Sequence, residues 1–299
     1  LDDKFHIGSC TKSMTALLAV LLARDGTLSL ETRPAAVFPT WDFTTEQRQI
    51  TLDLLLQHRS GIGNEPEPGL WRRAFSSLPG SPREQRQEFL RGILAQPLAA
   101  KPGTKYIYSN LGYTLAGAVL EQSTGVSWEE LIQNRIFEPL GLTTAGFGPP
   151  DKSKGANQPS GHQFIGGQLT PLPGLDNPAA IAPAGAVHMS ILDLARYAAF
   201  HLAVFNEQVP ELKSFRSRLY TPPEGSDYAY GWIAQKRSWA DGAVLTHAGS
   251  NTMFFTVIWI APAKDYCFIV TTNAGDREGS ATAEKCDQVI AALIKEFLL

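Results

Sequence analysis

Cysteine is scarce in this sequence, with three residues in a chain of 299. Cys10, Cys267 and Cys286 have neither the number nor the spacing of a disulfide framework or a zinc site. A basic surplus is missing too, because 26 Lys and Arg stand against 29 Asp and Glu. This balance excludes an electrostatic footprint for nucleic acid or for an anionic membrane surface. We therefore expect a small neutral or mixed-charge partner, with the compartment and the oligomeric state left open.

The sequence also lacks a hydrophobic run long enough to cross a bilayer. The apolar stretch over residues 14–22 is shorter than the about 20 residues that a membrane helix needs, and Arg24 and Asp25 follow it. No basic segment precedes this stretch, so it does not resemble a signal peptide. Apolar residues are nevertheless abundant, at 43% of the chain. A chain of this length and composition can bury a large core, and we expect one domain over residues 1–299.

Hydrophobic periodicity divides the chain into a helical part and a sheet part. Apolar residues in 14–22 recur at helical spacing, and Gly26 ends the pattern. Further helices are predicted over 52–57, 83–94, 112–122, 127–136, 191–205 and 283–298, and strands over 228–235, 244–247, 253–261 and 266–272. Polar loops over 61–69 and 146–183 are expected to form the pocket walls. We predict an α+β fold, helical over about 9–220 and with a sheet and a helix over about 225–299.

The first chemical cluster opens the first helix. Ser9 and Lys12 are spaced i, i+3, so on a helix the lysine nitrogen can meet the serine hydroxyl. Serine is a weak nucleophile, and lysine can activate it only if its pKa falls from about 10.4 towards 7. Burial and the positive end of the helix both act in that direction. The alternative is a serine that caps the helix and a solvated lysine.

A second cluster precedes the helix predicted over 112–122. Tyr108, Ser109 and Asn110 are adjacent there. A phenol near a lysine can carry the serine proton to the leaving group, and a carboxamide can orient a substrate ester or amide. The alternative is a capping Asn110 beside a half-buried Tyr108.

The third cluster opens an apolar strand. His247 is followed by Ala248 and Gly249, whose small side chains allow a substrate to approach the strand edge. The N–H group of Ser250 can pair with that of Ser9 as an oxyanion hole. The alternative is a histidine with a purely structural role.

Taken together and in this order, the three clusters resemble the serine β-lactamase and penicillin-binding-protein superfamily. The closest branch is that of class C β-lactamases, DD-peptidases and serine esterases of the family VIII carboxylesterase type. Connecting phrases such as "ITLDLLLQHRSGI", "PGTKYIYSNLGYTLAGAVLE", "IFEPLGL" and "APAGAVHMSILDLARY" are similar to that branch as well. The resemblance covers essentially the whole chain.

This resemblance implies a serine hydrolase that uses no metal and no organic cofactor. It implies a β-lactamase/transpeptidase-like fold, with an antiparallel sheet flanked by helices and a mostly helical subdomain. The substrate would be a small ester, amide or peptide. The implied roles are nucleophile for Ser9, general-base pair for Lys12 and Tyr108, and substrate binding for Asn110, His247, Gly249 and Ser250.

Two departures from the family pattern refine these expectations. At position 247 the β-lactamases carry a charged lysine, whereas histidine is mostly neutral at pH 7. This favours a carboxylesterase or peptidase, and leaves a DD-peptidase or weak class C-type β-lactamase and a catalytically silent binding module as alternatives. In addition, only eight residues precede Ser9, so we expect N-terminal strands of the family sheet to be missing. Cys10 is expected to be a packed side chain and not a rival nucleophile.

Overall fold

The computed structural model describes residues 1–76, 78–151, 157–275 and 280–299. The helices are α1 Thr11–Arg24, α2 Pro34–Val37, α3 Leu52–Leu56, α4 Pro68–Phe75, α5 Pro82–Leu94, α6 Asn110–Thr124, α7 Trp128–Ile132, α8 Ala182–Gly185, α9 Ile191–Phe205, α10 Arg216–Tyr220 and α11 Ser280–Leu298. The strands are β1 Lys4–His6, β2 Gly146–Phe147, β3 His162–Ile165, β4 Gln168–Pro171, β5 Val187–Ser190, β6 Ile233–Arg237, β7 Gly242–Ser250, β8 Phe255–Ala261, β9 Tyr266–Thr272 and β10 Ala274–Gly275.

The largest sheet is antiparallel and has the order β6-β7-β8-β9 in the described part of the chain. Alternate residues of β8 face opposite sides, as the two-residue period of a strand requires. Phe255 and Val257 pack with α11, whereas Ile258 and Ile260 belong to the main core. The sheet is therefore a layer between α11 and the helical body.

Helix α1 forms the centre of that body. All of its residues from Thr11 to Leu22 are buried, because it is surrounded by other elements on every side. Its polar positions are satisfied internally: Thr15 donates from Oγ1 to the carbonyl oxygen of Pro183 at 2.7 Å, and Trp128 Nε1 donates to Thr15 Oγ1 at 3.1 Å. A helix held in this way gives the residues at its start a fixed position.

A buried ion-pair cluster joins helices α5, α6 and α7 to the segment 179–180. Arg86 of α5 is fully buried and pairs with Glu121 of α6 and with Glu129 of α7, the latter at 2.7 Å. The guanidinium also donates to the carbonyl oxygens of Ala180 at 3.2 Å and Ala179 at 3.4 Å. This cluster stabilises the helical body.

The structure differs from the sequence predictions in several segments. Residues 228–232, predicted as the start of a strand, form a buried turn with Gly231 at φ 75°, and β6 begins only at Ile233. The 146–183 segment, predicted as a loop, contains the β3–β4 hairpin, although residues 152–156 lie outside the described residues. Helix α4 was not predicted. The helix predicted over 127–136 ends at Ile132 and continues as a wider π-helical turn.

Strand β1 lies just before the first chemical cluster. It pairs with β5 in a separate small sheet of order β1-β5-β2 and does not join the large sheet. Among the described residues, no helix combines the length and apolar character that crossing a membrane requires.

Candidate active site

Ser9 lies in a tight turn, Gly8–Cys10, that connects β1 to α1. Gly8 has φ 50°, and a Cβ atom there would lie 2.3 Å from the backbone nitrogen of Ser250. A Cβ atom on Gly249 would lie 2.5 Å from the backbone nitrogen of Ser9. Only glycine at both positions allows the two backbones to approach so closely. The approach brings the backbone nitrogens of Ser9 and Ser250 close to each other.

Lys12 is fully buried and points at Ser9. Its Nζ atom lies 2.9 Å from Ser9 Oγ, and it donates to Asn110 Oδ1 at 2.7 Å and to the carbonyl oxygen of Ala184 at 2.8 Å. The ring centre of Tyr108 is 4.8 Å from the same nitrogen. None of these partners in the described structure is a carboxylate, and burial lowers the pKa of Lys12 well below its usual range. The alternative of a solvated lysine is therefore wrong.

Tyr108 and Asn110 reach the site from the start of α6. Ser109 caps this helix, since its Oγ atom accepts from the N–H of Gly112 at 2.9 Å. The capping role considered for Asn110 is therefore wrong, and its side chain is free to bind Lys12. Burial raises the pKa of the Tyr108 phenol, while a hydrogen bond with Ser9 acts in the opposite direction. The phenol is protonated at neutral pH.

His247 lies on β7 and is buried. Its Nδ1 atom lies 2.6 Å from the carbonyl oxygen of Ala248, and its Nε2 atom lies 3.2 Å from the hydroxyl oxygen of Tyr228. Burial lowers the pKa of His247 to about 3. At neutral pH the side chain is therefore uncharged, with Nδ1 as donor and Nε2 as acceptor.

Sequence reasoning missed His58, for which a structural or surface role was the default. His58 adopts the left-handed conformation with φ 58°, and its Nδ1 atom accepts from the N–H of Ser109 at 3.0 Å. Its ring lies 4.4 Å from that of Tyr108 and 4.6 Å from that of Tyr228, measured between centres. The only available signal was its place within the phrase "QHRSGI".

A groove of about 540 Å³ extends from Asn110 along α4. The 61–69 loop contributes one wall, as expected, and α4 contributes Trp71 and the exposed Phe75. The 146–183 segment was also expected to form pocket walls, but none of its described residues (146–151 and 157–183) lines this groove. The lining residues are Asn64, Glu65, Pro66, Pro68, Trp71, Arg72, Phe75, Asn110 and Leu111.

Comparison with known proteins decides the family. A sequence profile of the Beta-lactamase family matches residues 2–291. The chain belongs to the beta-lactamase family. The resemblance predicted from the sequence is thereby confirmed, and so is the predicted fold class with its antiparallel sheets and flanking helices.

Individual members of the beta-lactamase family extend this result. Lovastatin esterase of Penicillium rubens is 32% identical over 167 residues, which cover 50% of this chain and 41% of the esterase. Penicillin-binding protein 4 of Amycolatopsis lactamdurans is 26% identical over 294 residues, covering 92% of this chain and 73% of that protein. The octameric penicillin-binding protein homologue from Pyrococcus abyssi superposes with a TM-score of 0.76 at 28% identity, covering 100% of this chain and 68% of that one. Such relatives support hydrolase chemistry in general.

Proposed function

We propose that this beta-lactamase family member is a serine hydrolase that forms an acyl-enzyme on Ser9 with ester or amide substrates, in the manner of a carboxylesterase or peptidase. One observation carries the proposal. The Nζ atom of Lys12 is fully buried, lies 2.9 Å from Ser9 Oγ and has no carboxylate partner among the described residues. A buried amine without an anion favours its neutral form, and only the neutral amine can accept the serine proton.

The proposed reaction has two halves. Ser9 Oγ attacks the substrate carbonyl carbon and passes its proton to Lys12, and the bond to the leaving group then breaks. Tyr108 donates its phenolic proton to the leaving alkoxide or amine and is reprotonated from Lys12. Water then attacks the carbonyl carbon of the acyl-enzyme and gives a proton to Lys12. The bond to Ser9 Oγ breaks, Ser9 Oγ takes the proton back from Lys12, and the acid product leaves. Because Lys12 and Tyr108 exchange one proton, they are expected to titrate as a coupled pair.

The negative charge that develops on the substrate carbonyl oxygen in the transition state requires hydrogen-bond donors nearby. The backbone N–H groups of Ser9 and Ser250 are brought together by the contact between Gly8 and Gly249. We assign these two N–H groups as the oxyanion hole, which is commonly the largest single contribution to acyl-transfer catalysis.

The site favours a neutral substrate with an apolar acyl group. His247 stands where β-lactamases carry a charged lysine, and its pKa of about 3 leaves it neutral. The strand therefore offers no fixed charge from this side chain to a substrate carboxylate. The groove beside Asn110 provides apolar surface from Trp71 and Phe75, on which we propose that the acyl group lies.

A second candidate is a DD-peptidase or weak class C-type β-lactamase. The similarity to penicillin-binding protein 4 over 92% of the chain favours it. Such an enzyme would be acylated by a penicillin at the same serine.

Covalent labelling tests the proposal. A fluorophosphonate and a fluorescent penicillin are incubated with the native protein, Ser9→Ala and Cys10→Ala, and the adducts are measured by intact mass. We expect the fluorophosphonate to label the native protein and Cys10→Ala but not Ser9→Ala. Cys10 is the matched control because it is the adjacent potential nucleophile, and burial raises the pKa of its thiol to about 12.

Turnover then separates the candidate activities. A p-nitrophenyl ester hydrolysed faster than a chromogenic cephalosporin supports the esterase, and the reverse order supports the β-lactamase. Folded native protein that reacts with neither covalent probe would contradict the acyl-enzyme mechanism and would favour a catalytically silent binding module.

A further inference from the structure

Three buried polar side chains meet next to the nucleophile turn, and the proposed mechanism uses none of them. Asp176 Oδ1 lies 3.1 Å from His6 Nε2 and accepts from Asn251 Nδ2 at 2.9 Å. The His6 side chain is fully buried and that of Asp176 is 7% exposed. The three residues come from distant parts of the sequence. Asp176 therefore links the segment that contains His6 and Ser9 to the segment that contains Ser250 and Asn251.

The first connection leads to Ser9. His6 Nδ1 accepts from the N–H of Gly8 at 3.0 Å. The proton of the neutral ring is therefore on Nε2, the atom that faces Asp176. This contact is electrostatic and not an in-line hydrogen bond, since Nε2 has no hydrogen-bond partner of good geometry among the described residues. Gly8 immediately precedes Ser9, so the orientation of His6 affects the Ser9 N–H.

The second connection leads to Ser250. Asn251 Oδ1 accepts from the N–H groups of Met253 at 3.2 Å and Phe254 at 2.9 Å, which closes the turn between β7 and β8. Ser250 Oγ donates to the carbonyl oxygen of Phe254 at 2.7 Å within the same turn. Asp176 orients the Asn251 amide and therefore acts on the residue that follows the second oxyanion donor.

We propose that Asp176 is a positioning residue that sets the separation between the Ser9 and Ser250 N–H groups through His6 on one side and Asn251 on the other. The inference rests on the proposed function, because the spacing of two donors matters only if a substrate oxygen lies between them. A buried carboxylate is unfavourable unless it is well paired, and Asp176 Oδ2 has no partner in the described structure. A residue whose role was stability alone would gain by an apolar replacement.

The test combines two substitutions with a readout at the substrate carbonyl. Asp176→Ala removes both connections, whereas Asp176→Asn keeps an oxygen for Asn251 and removes the charge opposite His6. For each variant we measure kcat and KM on a p-nitrophenyl ester, and the infrared carbonyl stretch of the acyl-enzyme. That frequency reports directly on hydrogen bonds to the carbonyl oxygen.

We expect Asp176→Ala to lower kcat by about 10-fold to 100-fold with little change in KM, because a misplacement of 1 Å or less has effects of this size. The acyl carbonyl stretch should move to higher frequency as its hydrogen bonds weaken. Asp176→Asn should give a smaller shift in the same direction.

Asp151→Ala is the matched control. Asp151 accepts from Ser160 Oγ at 2.6 Å and from the N–H of Gly174 at 3.1 Å, so it holds the same segment without contacting either oxyanion backbone. This variant should lose thermal stability and keep the native carbonyl frequency.

The outcomes separate the inference from the function on which it rests. If the native protein forms no acyl-enzyme, the proposed function fails. If the native protein is acylated and both Asp176 variants keep its kcat and carbonyl frequency, the positioning role is overturned. If Asp176→Ala does not fold, Asp176→Asn decides alone, and an unshifted frequency in that variant contradicts the proposal.

Discussion

Two fully buried basic side chains in this protein have opposite surroundings. Arg86 is paired with the carboxylates of Glu121 and Glu129. Lys12 is equally buried, yet its hydrogen-bond partners are the neutral oxygens of Ser9, Asn110 and Ala184. Arg86 therefore has two counter-ions, whereas Lys12 has none among the described residues.

The difference separates a stabilising site from a reactive one. Burial penalises only the charged form, so the pKa of a buried amine without a counter-ion is lowered. The Arg86 cluster pairs a guanidinium with two carboxylates and stabilises the packing of three helices. In the proposed mechanism, the Lys12 site gives up stability and gains a base beside a hydroxyl group. The same burial therefore serves structure at one place and chemistry at the other.

The largest expected effect comes from removing the Lys12 amine. Lys12→Met keeps a long flexible side chain and removes the amine, so ester hydrolysis should fall by about 10²-fold to 10⁴-fold, the range for loss of a general base. Steady-state kinetics with a p-nitrophenyl ester measures this. Retention of native kcat/KM by Lys12→Met would contradict the assignment of Lys12 as the base.

The same variant should change how stability depends on pH. The pKa of Lys12 is lower in the folded protein than in the unfolded chain, where it is about 10.4. Between these two values the unfolded chain binds more protons, so this residue's contribution to the free energy of unfolding increases as pH rises and is lost as pH falls. Urea unfolding of both proteins from pH 6 to 9 should show that Lys12→Met lacks this contribution and is no less stable at pH 7.

An intermediate effect is expected at the paired cation. Glu121→Gln leaves the buried Arg86 with one carboxylate and should lower the free energy of unfolding by about 3–5 kcal/mol. Activity per folded molecule and its pH dependence should stay native, because the cluster does not contact Ser9. Chemical denaturation and active-site titration measure the two quantities. Glu129→Gln is the control, with a smaller loss expected because the Glu129 side chain is 21% exposed.

The smallest expected effect comes from giving Lys12 a counter-ion. Asn110→Asp places a carboxylate where Oδ1 now accepts from Lys12 at 2.7 Å. A nearby anion favours the ammonium form and raises the pKa of Lys12 by about 1–3 units, so the acidic limb of the kcat/KM profile should move to higher pH. Asn110→Ala should reduce activity without moving the limb upward. An identical limb in native protein and Asn110→Asp would argue against Lys12 as the titrating group.

Local features of the fold and site could be predicted from the sequence. The spacing of Ser9 and Lys12 is a property of four consecutive residues, and it predicted their contact. Helix α9 was predicted to the residue because its apolar period is unbroken. Aromatic content predicts a strand at residues 228–232, and this prediction is wrong because Tyr228, Tyr230 and Trp232 are buried in a turn.

Contacts between distant segments outside the three chemical clusters could not be predicted. His58 contacts Ser109 across 51 residues of sequence, and Asp176 contacts His6 across 170. Neither contact leaves a periodic pattern in the sequence, because each depends on how whole elements pack. The close approach of Gly8 and Gly249 could not be predicted either, because each position requires glycine only to make room for the backbone of the other segment.

The protonation state of Lys12 in the free protein tests the central claim most directly. Nitrogen-15 NMR of protein labelled at lysine, with Lys12→Met used to assign the signal, follows Nζ between pH 5 and 11. We predict a titration midpoint well below 10.4, because burial without a counter-ion disfavours the ammonium form. An ammonium signal that persists at pH 8 and titrates near 10.4 would contradict the account.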